Sequence, residues 1–295
     1  MVALTHPSPD SVFMFIQSQA PTDELMLKLL PMLEQAGQTL LEEYEGYCAG
    51  NDFNINKKID QSPVTQADLK INHYILEQLA YLTPEIPVLS EESDYSKRHQ
   101  WPLCWLLDPL DGTKEFIHER DEFTINLSLI RHHKTIFSVI VVPCEKRMYM
   151  GYLQDLPFRY QFSQRQWYQY QQNLADYKQI QVGLSHGSKD IRYQQFMDHI
   201  AQQYPVVRRE AGSAYKFCMM LEGVIDIYPR FHPTSEWDTS AGQGLLESIG
   251  GGLLSLQKEP FAYNARSSVL NNGFIAFTNQ VTRTLSLEAL AQVKL

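Results

Sequence analysis

The chain has 295 residues, of which 44% are hydrophobic and 20% charged. That composition suits a soluble globular protein of one large domain or two ordinary ones, and it excludes disorder over most of the length. Its 34 acidic against 25 basic residues give a net charge of −9, which argues against a broad surface for a nucleic-acid polymer and requires an anionic ligand to be met by a metal or a few placed cations.

Cys48, Cys104, Cys144 and Cys218 are scattered, with no CxxC pair and no metal-ligand spacing, so free thiols in a reducing compartment are expected. No run approaches the roughly 20 apolar residues of a membrane span. The longest, Ile136 to Val142, is strand-sized, and Val12 to Ile16 is too short for a signal-peptide core. No integral membrane segment and a cytoplasmic location are expected.

In chain order, residues 1–20 read as an N-terminal extension. From Leu25 to Tyr47, Leu29, Leu33, Leu40 and Leu41 recur on one side of a helix, with Pro31 expected in its first turn, where proline costs least. Residues 49–61 are polar and read as a loop or hairpin. Ser62-Pro63-Val64-Thr65-Gln66-Ala67-Asp68 opens a second helix carrying Ile71, Ile75, Leu79 and Leu82. Thr65 and Asp68 are spaced as in a capping box, which alone accounts for both. Pro87 to Ser93 is a short strand ending in Glu91 and Glu92, by default a solvated strand end. Leu103 to Leu107 is a buried strand, followed at once by Asp108-Pro109-Leu110-Asp111-Gly112-Thr113-Lys114.

Phe123 to Arg131 and Thr135 to Val142 form a hairpin about His132-His133-Lys134. That tripeptide reads as an exposed turn rather than a metal site, because no third ligand lies nearby. Met148 to Tyr152 adds a strand, and the Gln- and Tyr-rich residues 158–177 suggest edge strands and a loop. After about residue 180 short strands and helices alternate: strands at Gln181–Ser185, Val206–Arg208, Ile225–Tyr228 and Phe274–Phe277, and helices at Tyr193–Tyr204, from a Ser213 cap to Glu222, at Thr239–Ile249 and at Leu285–Val293. Gly250 to Gly252 stop the third of these helices. Gly242-Gln243-Gly244 is explained by packing, since Glu247 occupies the third glycine position of a dinucleotide fingerprint.

The chemistry concentrates after Leu107. Pro109 has a fixed φ and no donor, so a turn is expected there. It would aim the Asp108 and Asp111 carboxylates and the Leu110 carbonyl at one point, a set of hard oxygens suited to Mg²⁺ rather than zinc. Gly112 and Thr113 offer backbone N–H groups and a hydroxyl to a phosphate. Each residue alone fits a polar turn with a helix start; the ordered set points to metal and phosphate as neighbours.

The stretch WLLDPLDGTKEF resembles the WxxDPLDGTxxF signature of the inositol monophosphatase superfamily, the Mg²⁺-dependent, lithium-sensitive sugar and nucleotide phosphatases. The resemblance implies a mixed α+β and α/β fold, the layered α-β-α-β-α sandwich of the inositol monophosphatase and sugar phosphatase type. An α+β metal-binding subdomain would span 21–179, and an α/β subdomain over 180–295 would contribute Asp238 and the nucleotide pocket. In the superfamily the PVTxAD aspartate, here Asp68, lies against the DGT threonine, here Thr113, and the pair orients the attacking water. Ser90-Glu91-Glu92 resembles a (G/S)EE motif whose first glutamate, Glu91, ligates metal and serves catalysis. Trp237 to Gly242 resembles WDxxAG, with Asp238 as a ligand. Glu91, Asp108, the Leu110 carbonyl, Asp111 and Asp238 would then converge on two or three Mg²⁺. Unit charges about 4 Å apart interact by about 4 kcal/mol at an effective dielectric near 20, so four such carboxylates demand cations.

SPVTQADLKIN, PEIPVLSEES, LLDPLDGTKEF, EFTINLSLI, YPRFHPTSEWDTSAGQ and LNNGF together resemble the CysQ-type 3′(2′),5′-bisphosphate nucleotidase branch over about residues 25–277. That resemblance implies a small-molecule nucleotide bisphosphate as substrate, held by Gly112, Thr113, His186, Ser213, Lys216, Arg230 and Asp238. The implied reaction removes the 3′-phosphate of adenosine 3′,5′-bisphosphate to give AMP and phosphate. The nearest alternative is an inositol or sugar monophosphatase on the same site. A nucleotide-binding protein without turnover is disfavoured, because every expected ligand type is present. Ala214 departs from the branch's second serine, and the N-terminal extension has no counterpart in compact members. A monomer or homodimer is expected.

Overall fold

The computed structural model describes residues 14–57, 63–93, 96–171 and 177–294, which form two sheets. Edge to edge, the large sheet runs β1 (Phe15–Ser18), β10 (Gln166–Tyr170), β9 (Phe158–Gln161), β8 (Arg147–Tyr152), β7 (Lys134–Val142), β6 (Thr124–Arg131), β5 (Leu103–Asp111) and β4 (Val88–Ser90). Its pairings are antiparallel except that of β4 with β5. The small sheet runs β12 (Val206–Glu210), β11 (Ile180–Leu184), β13 (Ile227–Arg230), β17 (Phe274–Phe277) and β15 (Gly252–Ser255). Two short ladders complete the strands: β2 (Ile55–Lys57) with β3 (Pro63–Thr65), and β14 (Thr234–Ser235) with β16 (Leu270–Asn271).

Side-chain alternation along the strands sets the layers. Val139 and Val141 of β7 join Ile125, Leu127 and Leu129 of β6 in a core closed by α1 (Glu24–Cys48) and α2 (Gln66–Leu82). Ile140 and Val142 point the other way, into a second core with α5 (Tyr215–Leu221), α6 (Glu236–Ser248) and the inner face of the small sheet. α4 (Ile191–Ile200) and α7 (Gln280–Leu290) cover the outer face of that sheet through Phe196, Ile200, Leu285 and Ala289. The result is the expected five-layer α-β-α-β-α sandwich, with α6 in its middle layer.

The approach of α6 explains its glycines. A Cβ at Gly242 would stand 2.2 Å from the Phe217 ring of α5, and one at Gly244 2.2 Å from Ser138 Oγ of β7. The Ser240 and Ser128 hydroxyls meet at 2.6 Å between helix and sheet. The packing reading of these glycines therefore holds.

Several local expectations are corrected. Pro31 lies two turns inside α1, not in its first turn: the helix begins at Glu24, behind an Asp23 side chain that accepts the Met26 N–H at 2.9 Å. On the exposed face its ring displaces no core packing. Residues 15–18 of the expected extension are β1: Phe15 is buried, with its ring edge-to-face on Tyr149 and Tyr170, while residues 1–13 lie outside the described ones. Pro63 to Thr65 form a strand rather than the start of a helix. Ser213 does not cap α5; Ala214 occupies that position without a side-chain cap. α6 begins before Thr239, although it stops at the glycines as expected, with Gly250 at φ +86°, and a strand not expected there, β15, follows at once. The hairpin turn is as expected, with positive φ at His132 and His133 and both side chains exposed. All four cysteines are free, Cys104 and Cys218 buried. No helix among the described residues is long and apolar enough to cross a membrane.

Asp226, between α5 and β13, accepts the Gln181 N–H at 2.7 Å, and burial pushes its carboxyl up to about 6. A carboxyl whose folded pKa exceeds its unfolded one lowers stability as pH rises through that interval, and the loss is complete above the folded value. Asp226→Asn keeps an acceptor for Gln181 and should raise unfolding stability by about 2–3 kcal/mol at pH 8 with little effect near pH 4. Denaturant titrations at the two pH values check this.

Candidate active site

β5 does not turn at Pro109. It continues to Asp111 through a bulge: Asp108 pairs with Asn126 and Asp111 with Thr124, so one residue is extra on β5. Proline cannot donate to the ladder, and a bulge is where a strand tolerates it. The bulge serves the end expected of a turn, because Asp108 and Asp111 come to face the same side, while the Leu110 N–H folds back on Asp108 Oδ1 at 3.1 Å. Gly112 then takes φ +98°, with Phe123 Cα 3.2 Å from where a Cβ would lie, so glycine meets both the backbone and the space requirement. The chain enters α3 (Thr113–Ile117) directly after it.

Asp238 arrives from the opposite layer. It is the third residue of α6 and closes a capping interaction by accepting the Ser235 N–H at 3.0 Å and the Thr234 hydroxyl. This brings carboxylate oxygens of Asp108, Asp111 and Asp238 within 4.8 Å of one another, the first two buried. Glu91, just beyond β4, is not one of those three, but its charge acts on Asp108. Burial, then Glu91, Asp111, Asp238 and Asp68, hold the Asp108 carboxyl well above the ordinary range. Asp111 is pushed up to about 6 by burial and by Asp238, against hydrogen bonds from the Ser213 side chain and, at 2.7 Å, the Ala214 N–H.

Asp68 stands beside this group as the third residue of α2. Its Oδ2 accepts the Thr65 N–H at 2.8 Å and the Thr65 hydroxyl at 2.6 Å. Its Oδ1 lies 3.2 Å from Thr113 Oγ1, which is also 3.3 Å from the Leu110 carbonyl. The capping role and the Asp68–Thr113 pairing therefore coexist on different oxygens.

The expected nucleotide residues lie on the small-sheet side. His186 Nε2 is 2.5 Å from Glu122 Oε2. Arg230 is half-buried, its Nη2 3.3 Å from the Pro233 carbonyl and its charge felt by Asp111. Lys216 differs from expectation. It is 0% exposed, with Nζ 2.7 Å from the Ala211 carbonyl and 4.7 Å from the Tyr228 ring centroid. Burial and the neighbouring Arg230 push its ammonium down to about 7. It points into the interior because the buried face of α5 lies at that position. Ser213 faces Asp111 rather than open space.

Sequence reasoning missed Asn126 and Thr234. Asn126 Nδ2 donates to Asp111 Oδ2 at 3.2 Å, and its signal was a polar residue at a buried position of an apolar strand. Thr234 carries no comparable mark, since its partner Asp238 is reached only through the fold of the chain into α6.

The donor set fits a hard divalent cation. It contains oxygens only, and three gathered carboxylates, two of them buried, repel one another unless positive charge intervenes. Fold and site together define a layered α/β protein with an acidic centre suited to metal and phosphate. A family model described as the inositol monophosphatase family matches residues 25–294, and the chain belongs to that family. It is 35% identical over 245 residues to the 3′(2′),5′-bisphosphate nucleotidase CysQ of Escherichia coli O157:H7, covering 82% of this chain and 95% of that protein. The Salmonella typhimurium CysQ is 34% identical, covering 85% and 98%. Among solved structures, CysQ from Bacteroides thetaiotaomicron superposes with a TM-score of 0.72 at 27% identity, covering 88% of this chain and 99% of that one. The Thermotoga maritima IMPase gives the same TM-score at 16% identity, covering 90% and 97%, and speaks to the fold alone.

In metal-free buffer at pH 8, Asp108→Asn should stabilise the fold, because it removes a carboxylate that burial and the like charges of Glu91, Asp111, Asp238 and Asp68 disfavour. Saturating Mg²⁺ should stabilise the native protein and add much less to the variant. Denaturation with EDTA and with Mg²⁺ measures both effects.

Proposed function

We propose that the protein is a Mg²⁺-dependent 3′(2′),5′-bisphosphate nucleotidase that removes the 3′-phosphate of adenosine 3′,5′-bisphosphate. The observation that carries this reading is the gathering of Asp108, Asp111 and Asp238 beside the Asp68–Thr113 pair, in a chain 35% identical to a protein named for that activity. Glu91, Asp108, the Leu110 carbonyl, Asp111 and Asp238 would hold two or three Mg²⁺. Bound there, the ions would polarise the phosphate, acidify water and neutralise charge on the leaving oxygen.

The chain's own residues supply direction. When the Thr113 hydroxyl donates to Asp68, its lone pairs remain free to accept from a water, and the Asp68 carboxylate can accept that water's proton as it attacks in line. Gly112 and Thr113 bend the backbone so that its N–H groups can face the phosphate. No enzyme nucleophile is required. On the small-sheet side, Arg230 would meet the second phosphate, which the metals at the first cannot offset. His186 and the Ser213 loop would line the approach.

Phosphate release should be fastest from adenosine 3′,5′-bisphosphate in a panel with inositol monophosphate and fructose 1,6-bisphosphate, and absent without Mg²⁺. A clear preference for either of the other two compounds rejects the nucleotidase reading in favour of a sugar or inositol phosphatase. Asp68→Asn should lower kcat by about 10²- to 10⁴-fold with KM little changed. Arg230→Ala should raise KM for the bisphosphate more than for adenosine 3′-monophosphate, as read from initial rates on both.

A further inference from the structure

Glu122 has no part in the chemistry above, yet two loops of the small-sheet half meet on its carboxylate. It precedes β6, on the metal side of the site. Its Oε2 lies 2.5 Å from His186 Nε2 and accepts the Gly212 N–H at 2.8 Å, so the loops that follow β11 and β12 are both tied to it. A carboxylate only accepts, so Nε2 must carry a ring proton. The approach is close: a Cβ on Gly212 would stand 2.7 Å from the Glu122 carbonyl oxygen and 2.8 Å from Glu115 Cγ, so only glycine allows it. From Gly212 the chain runs directly into Ser213 and Ala214, both of which donate to Asp111. Glu210, 3.6 Å from His186 Nδ1 and engaged by Arg208, is too distant to take over as hydrogen-bond acceptor.

We infer that Glu122 is a positioning residue that sets His186 and residues 212–214 against Asp111 and so fixes the seat of the nucleotide; the inference rests on the functional reading above. Glu122 touches no reacting atom and acts through the imidazole and the Gly212 amide. Loss of its carboxylate frees both at once, so nucleotide binding suffers more than the chemical step.

The test combines steady-state kinetics on adenosine 3′,5′-bisphosphate with ¹⁵N spectra of the histidine rings at pH 8, for the full-length native chain, Glu122→Ala and Glu122→Gln, with His186→Ala to assign the resonance. Glu122→Ala should raise KM at least tenfold while kcat falls less than threefold, and the His186 Nε2–H signal should be lost or shifted. Glu122→Gln keeps the side-chain length and an acceptor for Gly212, and should return KM to within threefold of native. It also guards against an alanine variant that fails to fold. A KM within twofold of native in Glu122→Ala overturns the inference, as does a collapse of kcat at unchanged KM in both variants. If the native protein does not turn over this nucleotide, the functional reading fails on its own. The spectra then decide the positioning role, and an unaltered His186 signal in Glu122→Ala rejects it.

Discussion

The mutual repulsion of carboxylates at the end of β5 is the constraint that the rest of this structure answers. Asp108 and Asp111 are nearly buried and stand within 4.8 Å of Asp238, with Glu91 and Asp68 near enough to bear on Asp108. No local arrangement would adopt this spontaneously, since each charge disfavours the others. It persists because each side chain is held by something else: Asp68 and Asp238 by capping interactions in α2 and α6, and Asp111 by donors from Asn126, Ser213 and Ala214. The stability of two cores on either side of the large sheet is set against a centre that favours a cation.

The same architecture brings two chemistries together. The large sheet carries the Asp108 and Asp111 carboxylates at one end of β5, and the small sheet carries the cationic and imidazole groups. Between them lies α6, which belongs to neither sheet and delivers Asp238 to the first while packing on the second. Gly242 and Gly244 let it come close to α5 and β7. A substrate with two phosphates would need both sides, one for each.

Much of this was legible in the sequence, and the reasons are local. The DPLDGT run carries its chemistry in adjacent residues, the capping boxes of α2 and α6 use residues three apart, and the helix and strand periods locate most elements. What escaped depends on partners distant in the chain. Pro109 produces a bulge rather than a turn because β6 continues to pair beyond it. Phe15 makes a strand of four residues only because β10 lies open to receive it. The burial of Lys216 follows from which face of α5 turns inward, and a lysine in the sequence reads as a surface cation by default. Ser213 resembles a helix cap until Asp111, more than a hundred residues earlier, is found to claim it.

The fit of α6 between the sheets reaches further than packing. Asp238 rides on a rod whose depth is fixed by atoms at Phe217 and Ser138, one or two turns away. The separation of its carboxylate from the pair on β5 is therefore gauged by the thickness of the middle layer. Enlarging a small side chain there would act like a shim, widening the gap between ligands while leaving each of them chemically intact.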